Sequence, residues 1–130
     1  MALNILVVDD SSVMRTIIIK TLKLAELPLG DIWEGKNGEE GLHILQNNWV
    51  DLAMIDIHMP VMDGEEMLKR IRANEQYANL PVIIVSSESY PARIEKMMEL
   101  GATFIHKPFT PEVLKEVIVE VTGVHNEKED

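Results

Sequence analysis

An open, doubly wound parallel sheet of five strands, with helices on both faces in three α/β/α layers, is the fold class this sequence predicts. Three observations predict it. Five short apolar runs, several rich in β-branched residues, alternate with five stretches of helical periodicity. The first, third and fourth runs are apolar almost throughout, as strands covered on both faces are. Strands and helices in strict alternation, joined by right-handed crossovers, build such a (βα)5 sheet.

Each element has its own justification. "LNILVVDD" (3–10) reads as the first buried strand, and Ser11-Ser12 can cap the helix that carries Val13, Met14, Ile17, Ile18 and Leu22 at helical spacing. "DIWEG" (31–35) reads as the second strand. Asn37-Gly38 then opens a helix predicted to gather Leu42, Leu45 and Trp49 on one face. "DLAMID" (51–56) is the third strand, and the helix after Asp63-Gly64 carries Met67, Leu68 and Ile71. "PVIIVSS" (81–87) is the fourth. Ile94, Met97 and Met98 mark the next helix, with Gly101 where a left-handed C-cap belongs. "TFIHK" (103–107) is the fifth strand. Thr110-Pro111 pairs an N-cap with a proline at the first helical position, ahead of Val113, Leu114, Val117, Ile118 and Val121. One domain over 1–123 follows, with 124–130 as a polar tail expected to fray. No internal repeat and no linker interrupts it.

Composition narrows the function. The 130 residues suffice for one domain with a real core, and a hydrophobic content of 46% excludes a disordered chain. The formal net charge of −10 argues against direct nucleic-acid binding, where a basic surface supplies most of the affinity. Without cysteine there is no disulfide, no thiolate catalysis and no Cys-based zinc site. The N-terminus lacks a basic region ahead of its apolar run, and no apolar stretch approaches the roughly 20 residues of a membrane span. No membrane attachment and a cytoplasmic location are the expectation.

In an open parallel sheet, ligands bind at the carboxyl ends of the strands. There the sequence places Asp9-Asp10 after the first strand, Asp56 after the third, Ser86-Ser87-Glu88 after the fourth and Lys107-Pro108 after the fifth. Each alone has a bland explanation. An acidic pair suits a helix start, a lone Asp suits a turn, and a serine or lysine is ordinary in a loop. Together they bring three carboxylates, a hydroxyl and an ammonium to one rim. Three carboxylates repel unless a cation sits among them, and Mg2+ takes oxygen ligands of this kind. An aspartate can also attack a phosphoryl group to form an aspartyl phosphate. Magnesium and a lysine can neutralise charge on the transferred oxygens, and a serine hydroxyl can hydrogen-bond one of them. Pro60 and Gly64 read as turn punctuation after Asp56.

At these residues the chain closely resembles a response regulator receiver domain, of the stand-alone CheY-like kind, with its flavodoxin-like sheet. The matching segments are "LVVDDS" (6–11), "MIDIHMPVMDG" (54–64), "PVIIVSSE" (81–88) and "GATFIHKPF" (101–109). The resemblance implies that Asp56 is the phosphoacceptor. It implies Mg2+ as cofactor, held by Asp10 and Asp56 directly, by Asp9 largely through water and by the backbone carbonyl of His58. It gives Lys107 contact with the phosphoryl group, makes Ser86 the switch hydroxyl and Phe104 the switch aromatic, and expects a cis Lys107-Pro108 bond. The partners it implies are a sensor histidine kinase or phosphotransfer protein and an output protein that reads residues about 92–120. It implies a switch that catalyses only its own phosphorylation and dephosphorylation, not an enzyme acting on a separate substrate. "SSVMR" (11–15) is similar to chemotaxis-type members.

His58 and Glu88 occupy places that vary in the family and flank the phosphoryl group; they are expected to tune its lifetime. Phe104 has no hydroxyl for a switch hydrogen bond. "SESYPAR" (87–93), with Tyr90 and Pro91, is expected to hinge between Ser86 and the output face. Trp33 and Trp49, both off the rim, are expected to report phosphorylation poorly. Three other readings compete. A flavin carrier would need a Gly- and Ser/Thr-rich phosphate loop after the first strand, where Asp9-Asp10 stands instead. An aspartate-nucleophile phosphatase would need a second acid two residues after Asp9, where Ser11 stands. A degenerate receiver that only binds partners would lack chemical residues that are all present here. Nothing after Gly123 reads as a second domain, so output is expected through a separate protein unless the chain is a piece of a longer regulator.

Overall fold

The computed structural model describes residues 2–124. β1 (Leu3–Val8), β2 (Leu29–Gly35), β3 (Leu52–Ile55), β4 (Val82–Ser86) and β5 (Thr103–His106) form one parallel sheet in the order β2-β1-β3-β4-β5. Between and after them run α1 (Ser12–Leu24), α2 (Gly38–Asn47), α3 (Gly64–Ala73), α4 (Pro91–Glu99) and α5 (Pro111–Thr122), with one 3-10 turn at Glu75–Tyr77. This is the predicted doubly wound fold, and its order reverses direction between β1 and β3, the place where such sheets bind ligands.

Alternation along the strands divides the core. Leu3, Ile5 and Val7 of β1 face α1 and α5, joining Ile18, Leu22, Met54, Val85, Leu114 and Ile118. Leu6 and Val8 face the other way, joining Ile55, Leu45, Met67, Leu68, Ile71, Ile84 and Met97. Four helices start on a side-chain cap. Ser11, Asn37, Asp63 and Thr110 accept the N–H groups of Met14, Glu40, Glu66 and Val113. Gly101, at φ +79°, ends α4 in the left-handed conformation its position predicts.

The differences from expectation are local. β2 begins at Leu29, because a shift of register between Leu3 and Ile5 lets Leu29 pair and the Asn4 side chain receive the Asp31 N–H at 2.9 Å. The other strands end one or two residues short of the predicted runs, which leaves Asp9, Asp10, Asp56 and Lys107 just beyond them. Trp49 does not share a helical face with Leu42 and Leu45. α2 stops at Asn47, Asn48 is extended, and the indole stands 78% exposed with its Nε1–H on Asp51 Oδ1 at 3.0 Å. Val13, Ile17, Met98 and Val113 are also exposed. Each helix buries a narrower stripe than its apolar residues suggest: α1, for example, turns Ile18 and Leu22 inward, and Val13 and Ile17 lie roughly 100–180° round from them. Val124, placed with the tail by its sequence, is buried in the core, and the rest of that tail lies outside the described residues.

Candidate functional site

Register assembles the rim. Val8 pairs with Ile55, so Asp9 and Asp56 leave adjacent strands side by side. The Asp56 amide donates to Val8 O at 2.9 Å, and the Asp9 amide to Gly35 O at 3.0 Å, so both backbones are fixed. Ser86 pairs with His106, and its carbonyl accepts the Lys107 N–H at 3.0 Å. The buried strands β1, β3 and β4 thus hold Asp9, Asp56 and Ser86 from below, and the edge strand β5 leads into Lys107.

The side chains converge. One carboxylate oxygen from each of Asp9, Asp10 and Asp56 lies within 4.8 Å of the others. Asp9 is 2% exposed, Asp56 half-buried and Asp10 exposed. Lys107 Nζ reaches Asp9 Oδ2 at 3.2 Å and Asp56 Oδ2 at 3.8 Å. Asp9 Oδ1 accepts the Ser11 N–H at 2.9 Å. Arg15 steadies the same corner, donating from Nη1 to Asp9 O and from Nε to Glu34 Oε1 at 3.0 Å. Asp56 Oδ1 accepts its neighbour's N–H, from Ile57, at 2.9 Å. Its Oδ2 is the oxygen turned to Lys107. Burial pushes the Asp56 carboxyl above the usual carboxylate range, with Asp9 adding to it. Lys107, the Ile57 amide and the Ser86 hydroxyl offset this only in part. The trio is an all-oxygen, net-negative donor set, which fits a hard divalent cation such as Mg2+.

The loop between β3 and α3 is folded tightly under Asp56. Gly64 donates its N–H to Ile57 O at 2.8 Å, and a Cβ at Gly64 would fall on the Asp56 carbonyl oxygen. Glycine is required there by close approach. Val61, at φ +67°, is a β-branched residue in the left-handed region and 76% exposed.

The remaining predicted residues lie on β4, on β5 and in the loops after β3 and β4. Ser86 is 1% exposed, and its Oγ accepts the Glu88 N–H at 3.2 Å. His58 Nε2 lies 3.3 Å from Glu88 Oε1, so these two residues meet each other. The Tyr90 amide holds the Glu88 carboxyl below the usual carboxylate range against the effect of burial, with the Ser89 amide and His58 assisting. Phe104 is half-buried against the core under α2–α4, its ring centroid 6.1 Å from that of His106. The Lys107-Pro108 bond is cis. Sequence reasoning missed Arg15 and Arg93, which serve the rim from helices, and Arg72, which lies away from it. Arg72 donates to the carbonyls of Leu100 at 2.6 Å and Leu80 at 2.7 Å, with longer bonds to Tyr77, Ala78 and Gly101. Burial lowers its pKa. No spacing along the chain could have revealed these contacts, since their partners lie on other elements.

Among the described residues no helix is long and apolar enough to cross a membrane. The profile of the response regulator receiver domain family matches residues 5–119. A chemotaxis protein CheY homolog of Campylobacter jejuni subsp. jejuni serotype O:2 is 40% identical over 123 residues, covering 93% of each chain. The chemotaxis protein CheY1 of Helicobacter pylori strain J99 is 36% identical over 126 residues, 95% of this chain and all of that one. The crystal structure of Vibrio cholerae chemotaxis protein CheY4 superposes with a TM-score of 0.82 at 31% identity, covering 93% of this chain and 99% of that one.

Proposed function

The chain belongs to the response regulator receiver domain family, and on that premise we propose that it is a phosphorylation-activated switch which accepts a phosphoryl group on Asp56. One observation carries the assignment. Lys107 Nζ lies 3.2 Å from Asp9 and 3.8 Å from Asp56, beside three carboxylates gathered within 4.8 Å. A structural cap or turn has no need of that concentration of charge. Asp56 Oδ2 attacks the phosphorus of a phosphohistidine, the nitrogen–phosphorus bond breaks, and the histidine nitrogen keeps the electron pair. Lys107 is placed to meet the negative charge on the transferred oxygens. Asp10 and Asp56 would hold Mg2+ directly, Asp9 through water, and the His58 carbonyl as a further ligand. Bound there, the ion would neutralise the phosphoryl oxygens.

Once Asp56 is charged, the Ser86 hydroxyl turns to a phosphoryl oxygen and Phe104 moves inward. The face formed by α4, β5 and α5, about residues 92–120, then changes its affinity for a partner. The donor is a sensor histidine kinase or phosphotransfer protein of a two-component or phosphorelay system, and the output partner is a protein, not a nucleic acid or a membrane. The cytoplasm is the setting this requires. The protein is a switch, not an enzyme with a separate substrate. His58 and Glu88, 3.3 Å apart, flank the phosphoryl group and set its lifetime.

Intact mass after incubation with acetyl phosphate tests the reading, with and without Mg2+, for the native chain and for Asp56→Asn. One added phosphoryl group that needs both Mg2+ and Asp56 is the expected result. No addition under any condition would make this either a degenerate receiver acting as a constitutive binding module or a receiver selective for its kinase, and Mg2+ titration would separate the two.

A further inference from the structure

Arg93, in the first turn of α4, faces three carboxylates supplied by two other segments. Its Nε lies 3.7 Å from Glu88 Oε1 and 4.0 Å from Glu65 Oε1, and its Nη2 lies 3.9 Å from Asp63 Oδ2. That Nε–H is buried and has no hydrogen-bond partner among the described residues. A desolvated, unpaired N–H is unfavourable, so the guanidinium is drawn to a carboxylate that can close the remaining gap.

The three acids are not equivalent. Glu65 already holds Lys69 Nζ at 3.2 Å, with Lys96 Nζ at 4.0 Å. Asp63 is committed to the cap of α3 through Oδ1, at 2.9 Å from the Glu66 amide. Glu88 is the nearest. Its Oε2 accepts the amides of Ser89 and Tyr90 at 3.1 and 3.3 Å, and its Oε1 is shared between His58 Nε2 and Arg93. The carboxylate is therefore held from three directions, by its own loop, by the loop after Asp56 and by α4.

We infer that Arg93 is a positioning residue for Glu88, fixing that carboxylate beside His58 at the mouth of the Asp56 site and thereby setting the rate at which phosphorylated Asp56 is hydrolysed. The inference rests on the reading of Glu88 and His58 as the flanks of the phosphoryl group. In the hydrolysis, a water oxygen bonds to phosphorus as the bond from phosphorus to the Asp56 oxygen breaks. The products are the free carboxylate and dihydrogen phosphate, which keeps both water protons. The attacking water must pass the two flanking side chains, and a tethered carboxylate presents it with one arrangement instead of several. Without Arg93, Glu88 keeps its loop amides but loses the cation that fixes the other oxygen.

A double-mutant cycle on the full chain tests this. The native protein, R93A, E88A and the double variant are phosphorylated with acetyl phosphate and Mg2+. The donor is then removed and the loss of the phosphoryl group is followed by intact mass. Each single variant is expected to change the rate by about threefold or more, and R93A to add nothing once Glu88 is gone, because residues acting as one unit are not additive. R93K, which keeps the charge, is expected to return the rate towards the native value, and R93Q replaces R93A if alanine impairs folding. Two results overturn the inference while leaving its premise intact. One is a native rate in R93A beside an altered rate in E88A; the other is the same fold-change from R93A in both backgrounds. A native rate in E88A removes the premise, and the inference with it.

Discussion

Replacing Asp56 by asparagine should make the metal-free protein more stable. The side chain keeps its shape and an acceptor for the Ile57 amide, and loses its charge. That charge stands within 4.8 Å of Asp9, a repulsion of about 3.5 kcal/mol at an effective dielectric near 20. Lys107 at 3.8 Å returns about 4.4 kcal/mol of attraction on the same scale. These nearly cancel. What remains is the exposed Asp10, screened by solvent, and the burial of the ionised carboxylate, the largest of the causes that raise its pKa. Removing both should stabilise the fold by roughly 1–2 kcal/mol, or roughly 3–10 °C in Tm for a domain of this size.

The pH dependence has a definite sign. The Asp56 pKa in the folded protein is raised above the unfolded value of 3.8, so its ionised form destabilises the fold. That destabilisation is fully present above the raised pKa, shrinks as pH falls through it, and is gone below 3.8, where both states bind the proton. The asparagine variant should therefore lead at neutral pH and converge with the native protein on acidification. Thermal or urea unfolding in EDTA across that range reads it. A variant less stable than the native chain at pH 7, or a gap that widens towards acid, would refute the electrostatic account of the rim.

Four further outcomes follow from the same structure. Mg2+ should stabilise the native fold by about 1.4 kcal/mol at ten times its dissociation constant and so raise its Tm, and Asp10→Asn should blunt the rise; identical melting curves with and without the ion would exclude the acidic trio as its site. Val61→Gly should stabilise by about 1 kcal/mol, since the valine occupies the left-handed region while burying little, and a loss of stability in urea unfolding would count against strain there. Arg72→Met should cost roughly 3 kcal/mol by orphaning carbonyls in two loops, which a denaturation midpoint within experimental error of the native one would contradict. Phosphorylation should alter amide exchange in residues 87–106 more than in α1, and a uniform change along the chain would speak against a switch located there.

The rim was legible because each member sits at the end of a strand. Asp9, Asp56, Ser86 and Lys107 follow apolar runs, and parallel pairing brings all run ends to one edge. What the spacing could not tell was orientation. The helical period marked Val13 and Ile17 as readily as Ile18 and Leu22, and only the packing of α1 on the sheet chooses between the stripes. Trp49 was misplaced because the helix ends two residues before it, at Asn47. The arginines were invisible for a different reason. Arg72 meets Leu100, 28 residues away, and Arg93 meets Glu65 and Glu88 across two loops. Long polar side chains choose partners in space, and no local pattern records the choice. The strained Val61, by contrast, stands where turn chemistry favours glycine or asparagine, which makes it an anomaly visible only once the backbone is known.

The rim also imposes an order of events during synthesis. Lys107 and Asp9 are 98 residues apart in sequence yet share a contact. A ribosome releases the acids of β1 and β3 well before the lysine of β5, and chains fold as they emerge. Until the last strand joins the sheet edge, the acids face one another without their cation. A chain cut before β5 thus keeps the repulsion among Asp9, Asp10 and Asp56 without the lysine that offsets it.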